Sequence, residues 1–331
     1  MTDSGLDHTW DGLPVAPDNP RGAMVVVRRA DGHDGVEYLM LHRAHRGPDY
    51  EGDWAWTPPS GARLPGEPVL TGVWRELAEE AGLGPADLSP AGLVPVDLSA
   101  GWALTAAEIG ADTAVRLDAE HDMFTWLPLP DALARCQPSA PADNLRSGAA
   151  VPLPLLTFRP LTRADLPALV AWQHAPHVAP WFPDALDLAG AQQKYGPRID
   201  GTSPTMVHVM LADGQACGFV QHYDVAAHPD YQAAVGGLDA IGLDFAIGVP
   251  ALTGRGLGAQ FIWRYLQQVV FPAWPRVPYV VASPDARNTR SIRALEKAGF
   301  TRSHEIPGDP GRPELLCVLD RARIFGDLSA S

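Results

Sequence analysis

Between Gly61 and Leu83 the chain reads GARLPGEPVLTGVWRELAEEAGL, a turn rich in Gly and Pro that runs into one apolar-striped helix with an acidic back. Leu70, Val73, Trp74, Leu77 and Ala81 recur every three to four residues, which predicts a single buried face. Glu76, Glu79 and Glu80 stand at i, i+3 and i+4, where like charges repel by about 0.3 kcal/mol per pair. Arg75 is the only cation in the helical part of this stretch. A helix that needed only solubility would intersperse Lys with Glu. A hard divalent cation such as Mg²⁺ (or Mn²⁺), which takes oxygen ligands, is the natural counter-charge.

At 331 residues the chain exceeds one ordinary domain, so two domains of about 150 residues are expected. The formal charge of −14 argues against nucleic acid or an anionic membrane as the main partner and favours a cationic substrate. Cys136, Cys217 and Cys317 are scattered and form no C-x-x-C, so neither a disulfide framework nor a zinc site is suggested, and a reducing cytoplasm fits. The opening MTDSGLDHTWDGLPVAPDNP lacks the basic and apolar regions of a signal peptide and reads as a flexible tail over 1–20. No run approaches the roughly 18 apolar residues that span a bilayer. Prolines are densest in QPSAPADNLRSGAAVPLPLL, which places a linker at 141–154 between domains at 21–140 and 155–331. No internal repeat is visible.

Around the acidic helix, AMVVVRR, EYLMLHR, WALTAAEIG and MFTWLPL read as strands, giving a mixed sheet with the helix on one face. The spacing Gly61, Glu67, Arg75-Glu76-Leu77-x-Glu79-Glu80-x-Gly82-Leu83 resembles the Nudix box. That resemblance implies an α/β/α sandwich and Mg²⁺-dependent hydrolysis of a nucleoside diphosphate joined to another moiety. It implies Glu76, Glu79 and Glu80 as metal ligands, Glu79 and Glu80 thereby acting in catalysis. Arg75 would orient the glutamates and Glu67 would support the loop. Glu120, in LDAEHDMF, is either an auxiliary base or an exposed loop carboxylate. Trp54 and Trp56 either stack on a base or belong to the core.

In the second half, IGLDFAIGVPALTGRGLGAQFIWRYLQQVV runs from a strand through a glycine-rich turn into an apolar-striped helix. Gly254, Arg255, Gly256 and Gly258 would turn backbone N–H groups inward at the helix start, a cradle for a pyrophosphate. PDARNTRSIRALEKAGF then puts Asn288 at the head of another helix. Together the two segments resemble the GCN5-related N-acetyltransferase (GNAT) family. FRPLTRADLPALVAWQHAPHVAPWF is similar to the start of aminoglycoside 6′-N-acetyltransferases and their siderophore-acylating relatives. The resemblance implies a mixed-sheet acetyltransferase fold, acetyl-CoA held by the glycine turn and Asn288, and an amine substrate met by Asp244, Asp285, Trp172 and Trp181. Asp244 would also be the catalytic base. Where many members of the family have a Tyr seven positions after the Asn, this chain has Leu295, so that general acid is missing.

The whole is therefore expected to be an α/β (α+β) protein of two domains and two activities. One is acetyl-CoA-dependent transfer to an aminoglycoside-like or polyamine amine, the chemistry of antibiotic resistance, and the other is Nudix hydrolysis. The alternative is acylation of a hydroxylamine siderophore precursor, with the first half a nucleotide-binding or scaffolding module. No nucleic acid and no membrane partner is expected.

Overall fold

The computed structural model describes residues 8–9, 12–33, 35–182, 186–308 and 311–326, and two compact units emerge. The first comprises residues 1–153 with 322–331, the second 154–321. In the first, strands β1 (Gly22–Ala30), β2 (Val36–Arg43), β3 (Trp56–Thr57) and β4 (Ser60–Ala62) precede helix α1 (Val69–Ala81). Then come β5 (Val94–Asp97), β6 (Trp102–Glu108), β7 (His121–Pro128), α2 (Leu129–Arg135) and α3 (Ser139–Ala149). The sheet runs β3-β2-β1-β6-β5, with β4 beside β1 and β7 beside β2, and within it β1 and β6 are parallel. A run of six buried residues from Gly22 to Val27 shows that β1 is covered on both faces. Helix α1 contacts β1, β4 and β6, while Ala132 of α2 and Ala142 and Leu145 of α3 join Met24, Val26 and Met40 in one cluster. This is a helix–sheet–helix sandwich.

Two sequence expectations change here. The linker at 141–154 is for most of its length helix α3, with Pro141, Ala142, Leu145 and Gly148 buried. Its Ala, Pro and Gly content looks like a linker, but small side chains on one face are what close helix–sheet packing requires. A Cβ on Gly148 would come within 2.4 Å of the Val26 side chain. Pro141 sits in the first turn, where its missing N–H has no helical acceptor to lose. The tail expected over 1–20 is held in its described part beyond residue 12. The Ala16 N–H donates to the Arg63 carbonyl at 2.7 Å, and Arg63 pairs with Asp18 at 2.6 Å.

The second unit begins with β8 (Leu156–Pro160), α4 (Leu166–Gln173) and α5 (Leu188–Ile199). It continues with β9 (Thr205–Ala212), β10 (Gln215–Asp224), α6 (Pro229–Ala234), β11 (Ala240–Ile247), α7 (Leu257–Tyr265) and α8 (Phe271–Ala273). Strand β12 (Tyr279–Ala282), α9 (Thr289–Lys297), β13 (Thr301–Ile306) and β14 (Glu314–Asp320) follow; the closing helix α10 (Arg321–Phe325) belongs, from residue 322 on, to the first unit. The sheet order is β13-β14-β12-β11-β10-β9-β8, antiparallel except between β11 and β12. Leu166, Leu169 and Trp172 of α4 and Ala191 and Tyr195 of α5 pack on Val207, Val209, Phe219 and Ala246. On α7, Phe261 and Tyr265 meet Phe158 edge-on. Among the described residues no helix is long and apolar enough to cross a membrane.

Candidate active sites

The parallel ladder between β11 and β12 lasts only from Ala240–Tyr279 to Gly242–Val281. Strand β11 runs on to Ile247 while β12 ends at Ala282, so the two part and leave a wedge. A cleft of about 290 Å³ fills it, with Asp244, Trp181, Lys194, Asp285, Asn288 and Glu314 among its walls. Asp244 pairs in register with Gln221 of β10, whose Nε2 donates to the Asp244 carboxylate at 2.8 Å. Arg198 of α5 in turn donates to the Gln221 carbonyl oxygen, which fixes the amide's orientation. Packing raises the Asp244 pKa, and Gln221, Arg198 and Lys194 pull it partly back. A carboxylate so placed is poised to exchange a proton.

The other sequence-derived residues of this half divide. Trp181 lines the cleft, whereas Trp172 does not: it is 8% exposed, joins the α4–α5 core and lies where a Cβ on Gly248 would be, 2.1 Å away. A Trp on an apolar helix facing a sheet fills the core before it reaches a ligand. Asp285 reaches the cleft already engaged, accepting from the Arg287 backbone and guanidinium at 2.7–2.9 Å and from Arg312 at 3.0 Å. Those cations hold its carboxyl well below the usual range, and from the cleft wall it also clamps the loop before α9. Asn288 Oδ1 accepts from the Ser291 N–H at 3.1 Å and caps α9. Leu295, fully buried, lines the cleft without a proton to give. Glu314, a cleft carboxylate at the start of β14, went unnoticed because nothing local in its sequence marks it.

Gly254 and Gly256 have φ of 74° and 84°, left-handed values that side chains rarely adopt, and at Gly254 a Cβ would point into open space. Gly256 caps α7 with no side-chain hydrogen bond, so the first-turn N–H groups of that helix lack an acceptor within it. Arg255 is exposed between the two glycines. Gly258 is small for another reason: a Cβ there would stand 3.1 Å from Ala294 of α9. None of these residues is among the cleft walls named for Asp244.

In the first unit α1 lays its acidic side against β4. Glu76 and Glu80 are 6% exposed, while the Glu79 side chain is 57% exposed, so the acidic side is half buried rather than solvated. Glu80 accepts the Ser60 N–H at 2.7 Å, and the Glu76 carboxylate lies so close over Gly61 that any Cβ there would collide at 2.2 Å. Arg75 organises the group, donating to Glu67 at 2.9 Å, Glu76 at 2.8 Å, Glu79 at 3.1 Å and the Ala62 carbonyl at 2.8 Å. Glu67 accepts the Leu64 N–H at 2.9 Å, tying down the loop. Desolvation, opposed by Arg75, pushes Glu76 up to about 7, and burial beside Glu76 raises Glu80 well above the carboxylate range.

Two desolvated carboxylates side by side on one wall, Glu76 and Glu80, are oxygen donors of the kind a hard divalent cation takes. Among the described residues, however, no three His, Cys, Asp or Glu side chains already converge as a ligand group. The cavity here is about 730 Å³, and its walls include Glu76, Glu79, Glu80 and Glu120. Glu120 is exposed at its edge. Asp118 and His121, missed from sequence, sit beside it: His121 bonds Asp118 at 3.0 Å and its Nε2 stands 3.9 Å from Glu80. Trp56 is core at 3% exposure and Trp54 is a cavity wall at 45%.

Residues 18–146 match the family model described as the NUDIX domain, and residues 162–307 match the acetyltransferase (GNAT) domain. Two curated relatives, each named aminoglycoside N(6′)-acetyltransferase type 1, come from Klebsiella pneumoniae and Serratia marcescens. Each is 26% identical over 170 residues, covering 50% of this chain and 83% of the relative. Among solved structures, AAC(6′)-Ib in complex with paromomycin and acetyl-CoA aligns at 26% identity over 53% of this chain and 99% of that one, with a TM-score of 0.46. A Caenorhabditis elegans Ap4A hydrolase binary complex aligns at 26% identity over 39% of this chain and 96% of that one, with a TM-score of 0.32.

Proposed function

We propose that this chain, in which a NUDIX domain is followed by a GNAT acetyltransferase domain, has two activities. The second unit acetylates an amine of an aminoglycoside-like or polyamine substrate, and the first hydrolyses a nucleoside diphosphate derivative. The observation that carries the reading is Asp244, a carboxylate at the foot of a wedge between parting strands, oriented by Gln221 and raised in pKa by packing. Relatives named as aminoglycoside acetyltransferases support the substrate class.

An amine arrives protonated at neutral pH and cannot attack while its lone pair holds a proton. The Asp244 carboxylate attracts that ammonium, holds it against the cleft floor and accepts its proton, leaving the nitrogen lone pair free. Trp181 and Phe182 wall the same space. Acetyl-CoA, when bound, supplies the thioester; the uncapped start of α7 after Gly256 would receive its pyrophosphate. In the first unit Glu76, Glu79 and Glu80 would hold Mg²⁺, which supplies charge neutralisation and an acidified water. Arg75 keeps Glu76 and Glu79 aimed together while the Ser60 N–H holds Glu80, and Glu120 is available as an auxiliary base.

The test is a thiol-release screen with acetyl-CoA against aminoglycosides, polyamines and hydroxylamines, run beside a phosphate-release screen of nucleoside diphosphate derivatives with Mg²⁺. Turnover of hydroxylamines alone would overturn the amine reading. Gly256→Asp should weaken acetyl-CoA at least about tenfold in titration calorimetry while first-unit hydrolysis stays unchanged, because it places a negative side chain against the helix start at a left-handed φ. Unaltered acetyl-CoA affinity would remove the cradle.

A further inference from the structure

One side of the cavity beside α1 is built by the chain that precedes β1. Leu13, Val15, Pro17 and Asn19, every second residue, are among its walls, while Ala16 and Pro20 turn away and are buried. That alternation is the mark of an extended chain laid along a surface, one side to the body and one to the cavity. The side given to the cavity carries no charge, and three of its four residues are apolar. Helix α1 gives the same cavity Arg75, Glu76, Glu79 and Glu80. Leu13 is left 51% exposed and Pro17 is exposed too, so this apolar side is not spent on the core.

Arg63, in the loop between Gly61 and Glu67, fastens this strap. Its side chain is 3% exposed and donates to the Pro20 carbonyl at 2.8 Å, the Asp18 carbonyl at 2.9 Å and the Glu67 carbonyl at 2.6 Å. It also pairs with the Asp18 carboxylate at 2.6 Å, and its own backbone carbonyl accepts the Ala16 N–H at 2.7 Å. A guanidinium is costly to bury unless its donors are met, so Arg63 commits strap and loop to one arrangement. The loop it grips ends in Glu67, to which Arg75 donates at 2.9 Å. A second clasp comes from the far end of the chain, where Arg323 of α10 donates to the Asn19 carbonyl at 2.7 Å. The strap is thus set at a fixed place relative to the acidic helix.

We infer that residues 13–19 are a specificity wall of the first unit: with the diphosphate at α1, the strap packs on the uncharged group esterified to it, and Arg63 positions the strap for that contact. This rests on the hydrolytic reading above and deepens it. Contacts of this kind are alike in the ground state and the transition state, so they lower KM and leave kcat alone. A bare diphosphate gains nothing from them.

The test uses the full chain and two probes, ADP-ribose and inorganic pyrophosphate, in titration calorimetry with Ca²⁺ in place of Mg²⁺. Hydrolysis of ADP-ribose with Mg²⁺ is followed in parallel. Replacing Leu13→Ser and Val15→Ser together should weaken ADP-ribose and raise its KM about tenfold, with kcat and pyrophosphate affinity within about twofold of wild type. Asp18→Asn, at a half-exposed carboxylate that is not a cavity wall, loosens the clasp and should move ADP-ribose the same way by about threefold. Melting curves that match wild type show that a contact, and not the fold, was lost. ADP-ribose affinity that the serine variant leaves unmoved, or that in the wild type is no tighter than pyrophosphate, overturns the wall. Equal losses for both probes, or a fall in kcat with KM unmoved, overturn it too, because the strap would then act on the acidic helix. Strap-dependent ADP-ribose binding in a chain that hydrolyses nothing upholds the wall and overturns the hydrolytic reading instead.

Discussion

Asp244→Asn should lower kcat/KM for acetyl transfer about a hundredfold at pH 7, the ordinary worth of a positioned general base. The wild-type rate should rise with pH twice, first as Asp244 ionises through its raised pKa and again as the amine loses its own proton. The variant lacks the first rise, so its deficit shrinks at alkaline pH, where the amine is already free. The fold should not suffer. A carboxyl group whose pKa is higher folded than unfolded binds its proton more tightly in the native state, so stability falls as pH climbs through that interval. Asn removes that penalty and still accepts from Gln221, so Tm at neutral pH should hold or rise. A pH–rate profile of Asp244→Asn that overlays the wild type would refute the role, and Glu314 would then be the cleft carboxylate to test.

The second large effect belongs to α1. Glu80→Gln and Glu79→Gln should each cut Mg²⁺-dependent phosphate release at least about a hundredfold, since each removes a hard ligand and with it part of the charge neutralisation and water activation. The two differ in stability. Glu80 is buried beside Glu76, and an amide is easier to desolvate than a carboxylate while still accepting the Ser60 N–H, so Glu80→Gln should melt no lower than wild type. Glu79 is largely exposed, and its replacement should leave Tm unchanged. Unchanged turnover in both variants would dismiss the metal site; inactivity of the wild type toward every diphosphate would favour a nucleotide-binding module.

Much of the candidate chemistry is legible in short-range pattern, because its geometry is local. The i, i+3, i+4 spacing of Glu76, Glu79 and Glu80 puts them on one side of a helix whatever surrounds it. Gly254 and Gly256 mark left-handed backbone wherever they stand. What that pattern misjudged depended on partners distant in the chain. Trp172 reads as a ligand-facing aromatic until Gly248, far along the chain, is seen to receive its ring. Asp285 reads as a free acid until Arg312 folds back on it. The 141–154 stretch reads as a spacer because the helix that occupies most of it is stabilised by contact with β1 rather than by its own periodicity.

By itself, then, the sequence determined two α/β units in order, the box helix and the glycine turn, since periodicity, φ preference and charge spacing act over one or two turns of chain. Only the tertiary structure decided which carboxylates are desolvated, where β11 and β12 part to open a cleft at Asp244, and which tryptophans remain in water. Those outcomes are set by strand pairing and burial between segments tens of residues apart. The free energy that settles them lies in surfaces that neither segment has until the other is in place.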